Sequence, residues 1–342
     1  MNEMKMVVLS LLLLAGHRAC PQDVHFSQFF EAPLLRNPAL AGIFTGDYRV
    51  QGVYRSQWNS VTDGYRTGSF NAEYKRQVGQ SDNFVTVGLQ TLFDKSGTAG
   101  LSTTEILPAF NYHKSLSDER NMYLSLGFMG GLIEKAIDRS KLTTNNQYDG
   151  GAYNPSLGDG ETFAASNVRY LDGSIGLSFN MGWEEGVENN LFAGVAVHHL
   201  NRPKNSFYVA ESERTCKYVI SAGIKLAVNE FSYFTLQADH AIQGKFQETV
   251  AGFLYSYKLG DDPDPDKVIY TLHLGAFLRL QDAIIPVIKI DMYALAVALS
   301  YDVNVSAVRT ASQGRGGVEL SVSYTGWAPS KSSKGRILCP RF

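Results

Sequence analysis

Between residues 48 and 324 the chain repeats one pattern: about fourteen segments of roughly nine to sixteen residues, in which apolar and polar side chains alternate and turn-forming residues separate the runs. Alternation at period two belongs to a strand with two unlike faces. Residues 292–301, MYALAVALSY, show it most plainly. Tyr293, Leu295, Val297, Leu299 and Tyr301 share one face, and Ala294, Ala296, Ala298 and Ser300 the other. The two tyrosines lie about 26 Å apart along a strand, or roughly 20 Å in height at a tilt of about 40°, close to the apolar band of an outer-membrane barrel. A core strand of a soluble sandwich yields the same decapeptide, so the membrane reading rests on repetition.

The repetition is sustained. Val85, Val87, Leu89 and Phe93 oppose Thr86, Gly88 and Gln90, and Leu124, Leu126, Phe128 and Leu132 oppose Ser125, Gly127 and Gly131. Near the end Val318, Leu320, Val322 and Tyr324 oppose Glu319, Ser321 and Ser323, while the segments at 232–240 and 246–258 alternate less cleanly. Connection lengths add an independent sign. The longest, 138–170, 200–214 and 304–315, follow the fifth, seventh and thirteenth segments, and most connections after even segments are short. In an outer-membrane barrel with a periplasmic N-terminus the connections after odd strands face outside and are the longer ones. The expected fold is a single all-β transmembrane antiparallel barrel of about fourteen strands in the bacterial outer membrane, spanning residues 47–326.

Residues 1–21 carry Lys5 and then an apolar run from Met6 to Ala15, the pattern of a secretory signal that is too short for a spanning helix. His17 and Arg18 leave its cleavage site unclear, and acylation of Cys20 is weak for the same reason. After export Cys216 and Cys339 remain, too few and too distant for a disulfide framework or a metal site, and they pair or stay free. Residues 22–46 are interrupted by Pro33, Pro38 and Gly42 and read as a periplasmic lead-in. Residues 327–342 are expected to form a C-terminal periplasmic tail that returns to the mouth of the barrel.

The lead-in run HFSQFFEAPLLRNPALAG, residues 25–42, resembles the start of the PorP/SprF family of type IX secretion system membrane proteins of the Bacteroidetes. The segments SYDVNVSAV (300–308) and GGVELSVSY (316–324) and the terminal CPRF (339–342) are similar to that family's C-terminal region. The resemblance implies an outer-membrane barrel that helps to export, or holds at the cell surface, proteins with a type IX C-terminal sorting domain, including gliding adhesins. Its implied partners are secretion-system subunits and cargo, with membrane lipid around the barrel. The candidate partner-binding residues are Phe26, Gln28, Phe29, Asn37, Pro38 and Gly42 in the lead-in, and Tyr148 and Tyr153 in the long loop. Two roles fit the lead-in phenylalanines, including Phe30: anchors that plug the barrel or pack on its mouth, and a docking surface for periplasmic machinery.

Other chemistry finds little support. A formal net charge of −2 gives no footprint for nucleic acid. No HExxH, GxSxG, Walker A or dinucleotide motif occurs, so neither an enzyme nor a cofactor is expected. His198 and His199, adjacent on a strand, are expected to face opposite ways and share no metal. The run DDPDPD, 261–266, reads as a solvated turn, its prolines leaving little freedom to wrap calcium. Arg49, Arg55, Glu73, Lys75, Glu105, Lys225, Arg279, Lys289 and Glu319 fall on the face opposite lipid. Their mixed signs, with a loop of about thirty residues free to fold inward, lead us to expect a largely occluded lumen. The alternative is a passive diffusion porin or nutrient channel.

Overall fold

The computed structural model describes residues 23–57, 64–79, 82–117, 120–149, 151–154, 156–182, 189–209, 212–260, 270–306 and 315–328. The signal segment, Cys20, Cys339, residues 261–266 and the tail beyond Ala328 lie outside the described residues. The alternating segments form β1 (Tyr48–Gln57), β2 (Tyr65–Gln77), β3 (Phe84–Ser96), β4 (Leu101–Ser117) and β5 (Met122–Ala136). A two-residue-strand hairpin, β6 (Tyr148–Asp149) and β7 (Ala152–Tyr153), interrupts the long loop. The barrel resumes with β8 (Asn167–Gly182), β9 (Asn190–His198), β10 (Lys217–Ala227), β11 (Ser232–Gln243), β12 (Phe246–Leu259), β13 (Tyr270–Arg279), β14 (Ala283–Met292), β15 (Leu295–Asn304) and β16 (Arg315–Gly326).

Every barrel strand pairs antiparallel with its neighbours, and β16 closes on β1 from Tyr48 opposite Gly326 to Gln57 opposite Gly317. Closure leaves no strand edge, which an apolar solvent requires because it cannot satisfy free backbone groups. The period-two pattern sets the two faces. Leu126, Phe128 and Leu132 on β5 and Leu320, Val322 and Tyr324 on β16 are exposed outside, while Ser125, Glu319, Ser321 and Ser323 are buried inside. No helix among the described residues is long and apolar enough to cross a membrane.

The decapeptide at 292–301 is shifted from its expected place. Tyr293 adopts a left-handed φ of 53° in the turn between β14 and β15, so the strand begins at Leu295. Leu299, Tyr301 and Val303 keep the outward face. Leu299, near the middle of β15, therefore lies deeper than Val297. Leu299→Arg is expected to cost about 2–4 kcal/mol, read as loss of the heat-modifiable folded band on a gel; unchanged assembly would turn this face away from lipid.

Candidate functional site

The chain cannot lay residues 23–47 along the sheet, because Pro33 and Pro38 lack the donors a strand needs. The segment instead makes a 3-10 turn at Phe29–Glu31, a helical turn at Pro33–Arg36 and a second 3-10 turn at Pro38–Leu40, where the Asn37 side chain accepts from the Ala39 N–H at 2.8 Å. This compact thread runs inside the barrel. Asp23 touches His199, Arg214 and Lys217, at the end where the long connections gather. Asp47 donates its N–H to the Gly326 carbonyl at the opposite, short-turn end.

The wall grips the thread largely by its main chain. Glu319 accepts from the N–H groups of Ser27 at 2.6 Å and Gln28 at 2.8 Å, and Glu73 accepts from Gly42 N–H at 2.8 Å. Asn111 donates to the carbonyls of Ala39 and Ala41, Lys75 to that of Phe44, and Arg55 to that of His25. Close approach needs a glycine: a Cβ at Gly127 would come within 2.4 Å of the Ala39 nitrogen. Gly42 turns with φ of 84° against Thr86, where a side chain has no room.

Charge is paired around this thread. Arg55 bonds Glu319 at 2.8 Å and Asp302 at 2.9 Å, and Arg279 reaches Asp302 at 3.2 Å. Lys289 meets Glu31, and Arg36 meets Asp239. All nine charged residues expected inside are on the inner face; eight are buried, and Lys225 lines a cavity. That cavity, about 820 Å³, opens at the short-turn end between Phe30, Tyr48, Lys225, Lys289 and Trp327.

An apolar sector completes the seat. Phe29 and Phe30 pack with Val250, Leu254, Phe277, Ile285 and Val287; Phe30 stacks on Phe277 with centroids 5.2 Å apart. The filling of the lumen is therefore the lead-in and not the long loop, whose Tyr148 and Tyr153 are 54% and 45% exposed. The reason is complementarity, because residues 26–44 bring apolar side chains to the apolar sector and hydrogen-bonding groups to the polar one.

The candidate partner-binding residues divide in two. Phe26, Gln28, Phe29, Asn37, Pro38 and Gly42 are buried together inside the barrel, out of reach of any partner while the thread is seated. Tyr148 and Tyr153 face each other across the β6–β7 hairpin, centroids 5.8 Å apart, on the outer loop. His198 and His199 do not diverge as a strand pair would. The chain leaves β9 after His198, and His199, at φ of 60°, turns its ring back, so both are buried.

A further cluster had no local signature, since Asp23 and His199 stand 176 positions apart. Asp23 is bonded by Arg214 at 2.7 Å and His199 at 2.7 Å, and His199 also meets Asp172. Burial alone would raise the Asp23 carboxyl, but Arg214, Lys217 and the His199 hydrogen bond hold it well below the usual carboxylate range. Burial alone would lower His199; its bonds to Asp172 and Asp23 raise it instead.

Residues 19–324 match the family model described as type IX secretion system membrane protein PorP/SprF. No curated protein matches the chain. Among solved structures, a Pseudomonas aeruginosa FadL homologue is 10% identical, with 91% of this chain and 96% of that one covered and a TM-score of 0.49. The P. putida toluene transporter TodX is 10% identical over 86% and 93%, TM-score 0.42, and Haemophilus ducreyi BamA lacking POTRA domains 1–3 is 7% identical over 82% and 70%, TM-score 0.40. None of these likenesses bears on what the chain binds.

Proposed function

Because the chain belongs to the PorP/SprF family of type IX secretion system membrane proteins, we propose that this outer-membrane barrel receives exported proteins bearing a type IX C-terminal sorting domain and holds them at the cell surface. Gliding adhesins are among the cargo this reading covers. The observation that carries it is the seated lead-in. A lumen threaded from one end to the other by residues 23–47 is poorly suited to passive diffusion, which disfavours the porin reading and leaves the outer surface as the working part.

Loops on a rigid scaffold are the usual carriers of binding. The β6–β7 hairpin presents Tyr148 and Tyr153, and beside it Phe163 stacks on Tyr208 with centroids 4.9 Å apart. Secretion-system subunits are the proposed partners at the barrel's other surfaces. Tyr148→Ser with Tyr153→Ser is expected to leave the barrel assembled while cargo is shed into the medium, measured as the ratio of cell-bound to released sorting-domain protein. Normal retention by this variant and by one with the hairpin shortened would remove the loop from the reading.

A further inference from the structure

The His199 imidazole stands between two carboxylates, with Nε2 facing Asp23 at 2.7 Å and Nδ1 facing Asp172. Only a doubly protonated ring has an N–H for each; a neutral ring must turn a lone pair on one of them. We propose that Asp23, His199 and Asp172 form a proton-dependent latch, which fastens the N-terminal tip of the lead-in at the long-loop end of the lumen and loosens when the imidazole loses its proton.

The surroundings set how far it loosens. Arg214, in the loop before β10, bonds Asp23 at 2.7 Å and lies 3.7 Å from Glu105 of β4. Lys217 of β10 lies 3.7 Å from Asp23, and Gln243 of β11 donates to it at 2.9 Å; the Tyr170 hydroxyl of β8 accepts from Arg214 at 3.1 Å, the Cys216 thiol donates to the His199 carbonyl at 3.3 Å, and His198 of β9 and Lys135 of β5 also lie around the cluster. Asp172 also accepts from the Gly173 N–H at 2.8 Å. Loss of the proton thus leaves the tip to Arg214, Lys217 and Gln243 and sets a lone pair against one carboxylate. The tip comes loose from the ring without being expelled.

The direction follows from the raised His199 value. A histidine whose folded pKa exceeds its free value contributes fully below the free value, and the contribution is lost as pH rises through the folded one. The latch is closed below the free histidine value and opens as pH rises through the raised one. The medium that matters is the one at the long-loop end. None of this depends on which molecule the barrel exports.

Reactivity of a tip cysteine reads the latch. In the full-length protein with Cys216 and Cys339 replaced by serine, Val24→Cys is labelled with a membrane-impermeant maleimide in liposomes. Its rate is divided by that of Val209→Cys, a loop position that is 84% exposed, to cancel the pH dependence of the reagent. Between about pH 6 and about pH 9 the ratio is expected to rise several-fold. His199→Asn, which suits a left-handed backbone, should give a high ratio at every pH, and Asp172→Asn should move the rise to lower pH by removing one of the two carboxylates that hold the proton. A flat ratio in the Val24→Cys protein overturns the proposal without either latch variant. So does a His199→Asn or Asp172→Asn protein that keeps the unmodified latch's pH profile.

Discussion

Replacing Arg55 with methionine should destabilise the barrel by about 3–5 kcal/mol, the usual consequence of stranding a buried partner charge. Arg55 is 1% exposed and bonds Glu319 and Asp302, and its guanidinium also donates to the carbonyl of His25 and the hydroxyl of Ser27. Without it Asp302 keeps Arg279 and the Ser27 hydroxyl, while Glu319 stays buried with the N–H groups of Ser27 and Gln28 and no ion-pair partner among the described residues. The measurement is the denaturant midpoint of the folded band in detergent, followed by gel shift. Adding Glu319→Gln to Arg55→Met should recover part of the loss, because it removes one stranded charge; a double variant as weak as the sum of the singles would show that the two side chains act apart.

Deleting residues 23–44 should turn a closed barrel into a conducting one. The strand ladder closes through its own backbone pairs, from β1 to β16, and no pair of that seam is supplied by the lead-in. Once the thread is gone, water reaches Glu319, Glu73, Asp239 and Lys289, so these charges are solvated and not stranded. Planar bilayers are expected to record rare or no openings for the full-length protein and sustained porin-like steps for the deletion. Equal conductance of the two would mean that the seated thread does not close the lumen, and a deletion that never assembles would assign the thread to folding.

The strand set was legible in the sequence because each crossing is an independent copy of one physical requirement, an apolar side toward lipid and a polar side within. All nine charged residues on the expected inner face are there. The segment at 246–258 alternated poorly for a reason now visible. Val250 and Leu254 of β12, with Phe277, Ile285 and Val287 of β13 and β14, make the inner face apolar, and that is where Phe29 and Phe30 dock. A weak pattern marked the seat of the plug. The terminus of the decapeptide strand is not legible in the sequence, because an aromatic in a tight turn and one at the end of a strand share the same period; only the backbone at Tyr293 tells them apart.

The candidate site was less legible. Plug and docking surface place the same aromatic residues in the lead-in, and choosing between them needs the wall that receives them. The Asp23 cluster draws on the lead-in, β4, β8, β10, β11 and the loop after β9, so no local spacing encodes it. A strand continued through His199 would point its ring the opposite way from His198. The left-handed φ of His199 is a property of the turn that follows.

The direction of the thread bears on the order in which the molecule is put together. Its tip lies at the far end of the lumen from the start of β1, so a finished barrel would have to be entered lengthwise by a folded, proline-kinked segment. The groups gripping Ser27 and Gln28 come from both sides of the last seam, Arg55 on β1 and Glu319 on β16. A sheet that rolls up around a segment already in place would avoid that entry, and the seam between β1 and β16 that completes the barrel would then also shut the segment in.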